Sequence, residues 1–352
     1  MRRIIGAISA VAALGAQPTP GPDAREATFV ATGTPADPPR IVADFNGWTG
    51  GTMTPSADGR TFTLRVALDP AARIEYLIAY RDRFELDPGN PLTVPAPAGP
   101  PRSELRMPEY REPAALPTPR RRGTIEELAF TSRDGLRRRI RVYVPPMDVG
   151  PAEAGPSVLP SPPEGGRHVL YAYDGDVVLD KLELPAVLDS LIDSRGMAPA
   201  IAVFIDSVDR HDDYEPGATF RRVFVDEIVP MIERRYPSAG ARRALLGLSR
   251  STVGALDTCV NGGIRVDACL LVAPAIPPAQ FSALLARAGT PTRFALATGT
   301  YDIPLVADAR RLRDEMRRRG LAVDYAERPQ GHNHTAFRAA LPDLLRGLFA
   351  DR

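Results

Sequence analysis

Ala244-Leu245-Leu246-Gly247-Leu248-Ser249-Arg250-Ser251, followed by the helix-compatible run Thr252 to Val260, is the stretch whose reading decides the fold. A short apolar strand that breaks at once into a helix forces a tight turn, and a serine at its apex has its Oγ lifted clear of the backbone. Small residues two positions either side let such a turn close without side-chain collision. Gly247 meets that need on one side. On the other side stands Ser251 where glycine is easiest, so the turn must accommodate a hydroxymethyl group.

The rest of the C-terminal half supplies partners for Ser249 in a definite order. A strand-like run, Phe294-Ala295-Leu296-Ala297, ends in Gly299-Thr300-Tyr301-Asp302 ahead of a helical pattern carrying Leu305, Ala309, Leu312 and Met316. A last strand, Leu321 to Glu327, leads to Gly331-His332-Asn333-His334 and a closing helix with Phe337, Leu341 and Leu345. Ser, Asp, His is the chain order of α/β hydrolases. The chemistry asks for an imidazole that takes the serine proton and a carboxylate that fixes its tautomer. Of the four histidines, His168 precedes a strand and His211 lies in a charged loop, leaving His332, with His334 as the alternative, as base. Asp302 is the acid, although an aspartate ahead of a helix also serves as an N-cap.

Acyl transfer also needs donors for the developing oxyanion, and backbone amides supply them without reorganisation. The amide of Arg250 is one. The other is sought in the turn after an earlier strand, and Tyr171-Ala172-Tyr173-Asp174-Gly175-Asp176 has the form to aim the Asp176 amide at the site. The polar loop Asp209-Arg210-His211-Asp212-Asp213-Tyr214 follows another strand, where open α/β sheets place ligands, so Arg210, His211, Tyr214 and, from the late loop, His334 are candidate substrate contacts. Any anionic or catecholate group reaching the cleft would meet guanidinium planes such as Arg210 or Arg250, because Lys181 is the only lysine.

These residues resemble a known group. Tyr173-Asp174-Gly175-Asp176, Phe204-Ile205-Asp206 with Arg210, Asp213, Tyr214 and Pro216, Glu227-Ile228-Val229-Pro230 with Tyr236-Pro237, Gly247-Leu248-Ser249, Gly299 with Asp302, and Gly331-His332 with Phe337-Arg338 are similar to the enterochelin-esterase and esterase-D group of α/β hydrolases. The resemblance runs from about Gly123 to the C-terminus. It implies Ser249 as nucleophile, His332 as base, Asp302 as acid, and the Arg250 and Asp176 amides as oxyanion donors. Several members carry a double glycine where this chain has Ser251-Thr252. Upstream, Val42-Ala43-Asp44-Phe45-Asn46-Gly47-Trp48, Met53, Asp58-Gly59 and Thr61 to Leu68 look like the immunoglobulin-like early-set domain that precedes enterochelin esterases. Independently, Phe62, Leu64, Val66, Leu68 and Ile74, Tyr76, Ile78, Tyr80 alternate as half-buried strands do. Trp48, the sole tryptophan, is read as a cap on that small core rather than as a sugar-stacking platform.

The expected fold is therefore α/β: an α/β-hydrolase catalytic domain over 123–352, preceded by a small all-β immunoglobulin-like (early-set) sandwich over 17–100 and a proline-rich linker over 101–122. Met1-Arg2-Arg3 and the apolar run Ile4 to Leu14, then Gly15-Ala16, read as a secretory signal over 1–16, too short to span a bilayer comfortably. With 37 prolines, about twice the usual share, the chain has proline-dense stretches at 18–39, read as a tether, at 88–119, and at 145–163, read as a surface insertion. Loss of Arg2 and Arg3 takes the formal charge from +1 to −1, leaving no net basic field for nucleic acid. Cys259 and Cys269 could pair in an exported protein, but two buried free thiols are the expectation. His332-Asn333-His334 alone offers too few ligands for zinc, so no cofactor or metal is expected.

Function follows as an exported or periplasmic serine ester hydrolase whose partner is a small-molecule or glycan-linked ester, with no nucleic-acid partner and no membrane span once the signal is removed. A siderophore ester ranks first, a feruloyl or acetyl ester on plant polysaccharide second, acyl transfer to a sugar third. A glycan- or siderophore-binding protein on a catalytically silent scaffold is the rival of another class.

Overall fold

The structure is a computed structural model that describes residues 19–20, 25–96, 99–146, 168–236, 242–288 and 292–349. The signal read over 1–16 lies outside the described residues, as does most of the insertion read over 145–163. The chain divides into two compact units, Met1–Arg111 and Glu112–Arg352.

The second unit is built on one eight-stranded sheet: β1 (Thr124–Thr131), β2 (Arg137–Val144), β3 (His168–Tyr173), β4 (Ala200–Ile205), β5 (Arg243–Leu248), β6 (Ala268–Val272), β7 (Arg293–Tyr301) and β8 (Val323–Gly331). Their spatial order is β1-β2-β4-β3-β5-β6-β7-β8. β1, β2 and β4 pair antiparallel in turn, and the six strands from β4 to β8 are mutually parallel. Burial on both faces explains the near-continuous apolar runs of the central strands. On β3, Val169, Tyr171 and Tyr173 join one core while Leu170 and Ala172 join the other. Phe224, Ile232, Leu256, Leu312 and Met316 cover the first face, and Val187, Leu191, Phe337, Leu341 and Leu345 the second. Because the strands run parallel, their carboxyl ends lie along one edge, which is where the loops carrying Asp176, Arg210, Ser249, Asp302 and His332 emerge.

Pro230 falls inside the helical stretch 219–235. Residues Phe224–Ile228 form a π-turn, closed by a bond from the Val229 amide to the Phe224 carbonyl. The wider turn comes immediately before the residue that lacks an N–H, so Pro230 begins the segment Val229–Arg235 instead of breaking it.

Cys259 and Cys269 form a disulfide, with Cα atoms 6.2 Å apart. This corrects the expectation of free thiols. The helix Ser251–Asn261 packs directly on β6, so a cysteine late on the helix faces one early on the strand across a single layer, within bridging distance.

The first unit holds two antiparallel sheets. One contains Thr19–Pro20, Glu26–Thr32, Thr61–Ala67 and Thr54–Pro55; the other contains Gly51–Thr52, Arg40–Ala43, Arg73–Ala79, Arg102–Arg106, Thr93–Val94 and Phe84–Glu85. Three sequence readings change here. The stretch 18–39 is not a tether, since Ala27, Phe29 and Ala31 of the strand Glu26–Thr32 are buried. The linker does not begin at 101: Arg102–Arg106 pairs with Arg73–Ala79 and with Thr93–Val94, and Met107 is buried behind it. Flanking prolines hid this strand. Arg73–Ala79, finally, is buried on both faces rather than half-buried.

The polar face of that strand carries charge into the interior. Arg73 reaches Glu104 at 2.5 Å and Glu75 at 3.2 Å, and Arg102 reaches Glu75 at 3.1 Å while its guanidinium lies 4.0 Å over the Trp48 ring. Trp48 also packs on Val42, Leu77 and Ala79 and donates its indole N–H to Asp44, as a core cap should. Asp44 accepts the Glu75 amide at 2.8 Å. Burial, reinforced by the nearby Glu75 carboxylate, pushes Asp44 up to about 7.

Two outcomes follow from these contacts. Asp44, ordinarily ionised above about 3.8, stays protonated in the fold up to about pH 7, so unfolding releases a proton in that window. Its stabilising contribution is complete below about pH 4 and lost as pH rises through about 7; Asp44→Asn should flatten this part of the thermal-midpoint profile between about pH 4 and 7. The second concerns the disulfide: thiol titration of the denatured, unreduced protein should find no free thiol, and reduction should lower stability in urea by about 2–3 kcal/mol, as for a loop of this length.

Candidate active site

Ser249 sits at the break between β5 and the helix Ser251–Asn261 with φ at 50°, in the left-handed region. A non-glycine residue there costs roughly 1–2 kcal/mol, so its surroundings must impose it. Gly247 leaves no space for more: a Cβ there would fall 2.8 Å from both the Ser251 carbonyl oxygen and the Ala255 Cβ. Ser251 fits because its hydroxyl turns back on the strand, accepting the Leu248 amide at 2.8 Å and donating to the Leu248 carbonyl at 2.9 Å. Thr252 Oγ1 donates to the Ser249 carbonyl at 2.5 Å and accepts the Ala275 amide at 3.2 Å. The Ser249 amide donates to Val272 on β6. Ser251-Thr252 therefore ties the turn down with side-chain hydrogen bonds where a glycine pair would only have been permissive.

His332 Nε2 lies 2.9 Å from Ser249 Oγ, and His332 Nδ1 lies 2.9 and 3.0 Å from the two carboxylate oxygens of Asp302. An ionised carboxylate only accepts, so Nδ1 carries the proton and Nε2 is free to accept the serine hydroxyl. Asp302 is 1% exposed, while His332 is one-third exposed and rests edge-on against Phe337, 4.9 Å between ring centres. The β7–β8 register breaks between Gly299 and Tyr301, turning the end of β7 so that Asp302 meets the His332 loop. Of the two late histidines, His332 is the one within hydrogen-bond distance of Ser249. His334 opens the helix His334–Leu345, capped by the Asn333 side chain, and its ring faces Phe337.

Of the two amides expected to face an oxyanion, that of Arg250 lies at the start of the helix after Ser249. That of Asp176 lies in a helical turn whose first bond runs from the Val178 amide to the Asp174 carbonyl at 3.0 Å, so the Gly175 and Asp176 amides precede it. The turn continues as the π-turn Val177–Lys181, ending in the exposed Lys181. Asp176 is exposed, Gly175 buried. Gly175 is pressed on β4: a Cβ would meet the Ile205 amide nitrogen at 2.5 Å.

The other expected substrate contacts divide. Tyr214 is fully buried, which removes it from any substrate surface. Arg210 spends Nε and Nη2 on Asp174 at 2.8 and 2.7 Å, and Arg250 pairs with Glu215, so neither guanidinium stands open as an anion receptor. His211 is exposed within the short helix Arg210–Asp213. What sequence reasoning missed is Asp174, at φ 52° and 2% exposed; its place between a strand and Gly175 marked a turn but not an ion pair. Among the described residues, no group of three His, Cys, Asp or Glu side chains could hold a metal, and no helix is long and apolar enough to cross a membrane.

Comparison with known proteins gives a family match and several similar folds. Residues 154–282 match the family Esterase, described as putative esterase. The structure is similar to ferric enterobactin esterase from Salmonella typhimurium, with TM-score 0.71 at 16% identity over 95% of this chain and 96% of that one. It is also similar to the enterobactin esterase of Shigella flexneri solved in the presence of enterobactin, with TM-score 0.67 at 17% identity over 91% of each chain. A ferulic acid esterase gives 0.50 at 18% identity, over 64% of this chain and 96% of its own. No curated protein matches the chain. Identities this low carry the fold alone, and the family match over 154–282 describes an esterase.

The Ser251 hydroxyl gives the site a measurable dependence. Ser251→Ala leaves the buried Leu248 amide without its partner, and we expect a loss of about 1–3 kcal/mol in urea denaturation.

Proposed function

We propose that the chain is an exported α/β-hydrolase-type serine esterase in which Ser249 is the nucleophile, His332 the general base and Asp302 the residue that orients it. The reading rests on one observation above the others: the unbroken hydrogen-bonded series from Ser249 Oγ through His332 to the buried Asp302. In this reading His332 Nε2 takes the hydroxyl proton as Oγ bonds to the ester carbonyl carbon. The C–O bond to the leaving alcohol then breaks as His332 returns the proton to that oxygen. Water repeats the sequence on the acyl-serine, releasing the acid and restoring Ser249. The Arg250 and Asp176 amides receive the negative oxygen in both tetrahedral states. The N-terminal unit is read as an early-set sandwich, supported by its two antiparallel sheets. Export is supported by the Met1–Ala16 signal pattern and by the Cys259–Cys269 disulfide, a bond of oxidising compartments.

For the substrate we propose an ester of a catecholate siderophore. Its support is the breadth of the match: the enterobactin esterases align over both units, whereas the ferulic acid esterase aligns over 64% of the chain. A feruloyl ester is the second reading, carried by that narrower match.

A fluorophosphonate probe should label the wild type, and Ser249→Ala should abolish labelling and turnover. Asp302→Asn should lower kcat by about 10⁴-fold with the fold intact. A folded wild type that resists the probe would favour the silent binding protein instead. Hydrolysis rates for a ferric catecholate trilactone and for methyl ferulate, measured side by side, rank the substrates; a preference for ferulate of about tenfold or more would reverse the order proposed.

A further inference from the structure

Resting on the esterase reading above, we infer that Tyr214 and Arg210 are positioning residues that brace the Asp174-Gly175-Asp176 turn against the helix of the nucleophile, setting the spacing of the two oxyanion donors. Neither of them touches substrate in this reading. Each acts through Asp174.

The two donors come from different strands. The Arg250 amide is fixed by the turn at Ser249 and belongs to the start of the helix Ser251–Asn261. The Asp176 amide follows β3. A pair of donors stabilises one oxygen only if their separation is held to fractions of an ångström, so something must tie the loop after β3 to the helix after β5. Tyr214 spans that gap. Its ring lies against the second turn of the helix, where a Cβ on Gly254 would sit 3.0 Å from Tyr214 Cδ1 and 3.1 Å from its Cα. At its other end the phenol oxygen accepts the Asp174 amide at 3.0 Å. Burial, with the Asp174 carboxylate nearby, holds the phenol protonated far above its ordinary range, so it remains a neutral strut.

Arg210 completes the brace from the outside. Its forked contact fixes both oxygens of Asp174, which is left with its carboxylate clamped, its amide bound and its backbone in the left-handed region. The base of the strut is itself anchored. Asp213, next to Tyr214, is gripped by both terminal nitrogens of the buried Arg138 at 2.7 and 2.9 Å, and accepts the Val208 amide at 2.9 Å. Tyr173 stacks on Tyr214 at 5.5 Å between ring centres, so β3 immediately before the turn also bears on it. A motif that looked like substrate recognition in the sequence is, in space, the scaffold of the oxyanion site.

The test uses the full chain with p-nitrophenyl acetate and with phenylboronic acid, whose tetrahedral adduct on Ser249 places an oxygen where the oxyanion forms. Tyr214→Phe keeps the ring and removes only the hydroxyl; Arg210→Lys keeps the charge and removes the fork. For both we expect kcat to fall by about 10- to 100-fold, KM to stay within about threefold, and the boronate inhibition constant to rise in parallel with the loss in kcat. Thermal midpoints reported beside each rate separate this from unfolding, and the half-exposed Arg210 supplies the second variant should Tyr214→Phe fold poorly. Unchanged kcat in either folded variant, or a defect confined to KM, overturns the brace. A wild type that neither reacts with a fluorophosphonate nor hydrolyses the ester overturns the esterase reading itself; a reactive wild type beside an unimpaired Tyr214→Phe overturns only the brace.

Discussion

The left-handed backbone of Ser249 is the constraint on which the rest of the second unit depends. A residue with a side chain does not settle there unaided, so strand, helix and neighbouring loop all contribute to holding it. Ser251 ties the helix back to the end of β5, Thr252 ties the Ser249 carbonyl to Ala275, and β6 accepts the Ser249 amide. The parallel sheet then does the rest of the positioning. Strand ends that lie along one edge deliver a carboxylate after β7 and an imidazole after β8 to a hydroxyl after β5. No long-range flexibility is required of any of the three.

The two units handle buried charge in different ways. In the second, two ion pairs close to the site are bidentate, Arg210 with Asp174 and Arg138 with Asp213. Each fixes a loop whose backbone must be placed accurately. In the first unit the charges lie across two paired strands, with Glu104, Arg73, Glu75 and Arg102 linked in series and the Asp44 carboxylate on the Glu75 amide. Such a cluster returns little net stability over an apolar core, but it leaves few alternative registers for Arg73–Ala79, because a one-residue slip would put the arginine into the hydrophobic layer.

Much of the second unit was legible in the sequence because its signals are local and ordered. A glycine two before the serine, an aspartate just past a strand and a histidine after a glycine each mark a turn, and their succession along the chain identified the loops that the structure brings together. What escaped was whatever depended on the far side of a contact. Tyr214, Arg210 and Arg250 looked available for ligand because sequence cannot show that a carboxylate or a helix already occupies them. Cys259 and Cys269 lacked any signal of distance, since the layer between helix and strand is a property of packing. The strands Glu26–Thr32 and Arg102–Arg106 were masked by prolines on either side, whose breaking effect outweighed a short alternation of Ala27, Phe29 and Ala31 or of Ser103 and Leu105.

Lys181 stands exposed at the end of the π-turn that follows Asp176, in a chain with no second lysine. Apart from the α-amino group it is the sole primary amine. With the α-amine blocked beforehand near neutral pH, where it is the more reactive, an amine-directed fluorophore would attach there without any engineered cysteine, leaving the disulfide untouched, and would ride on the same short turn as the Asp176 amide. The arginine-for-lysine bias of the sequence thus furnishes a native attachment point from which movement of that turn can be watched as ligands arrive.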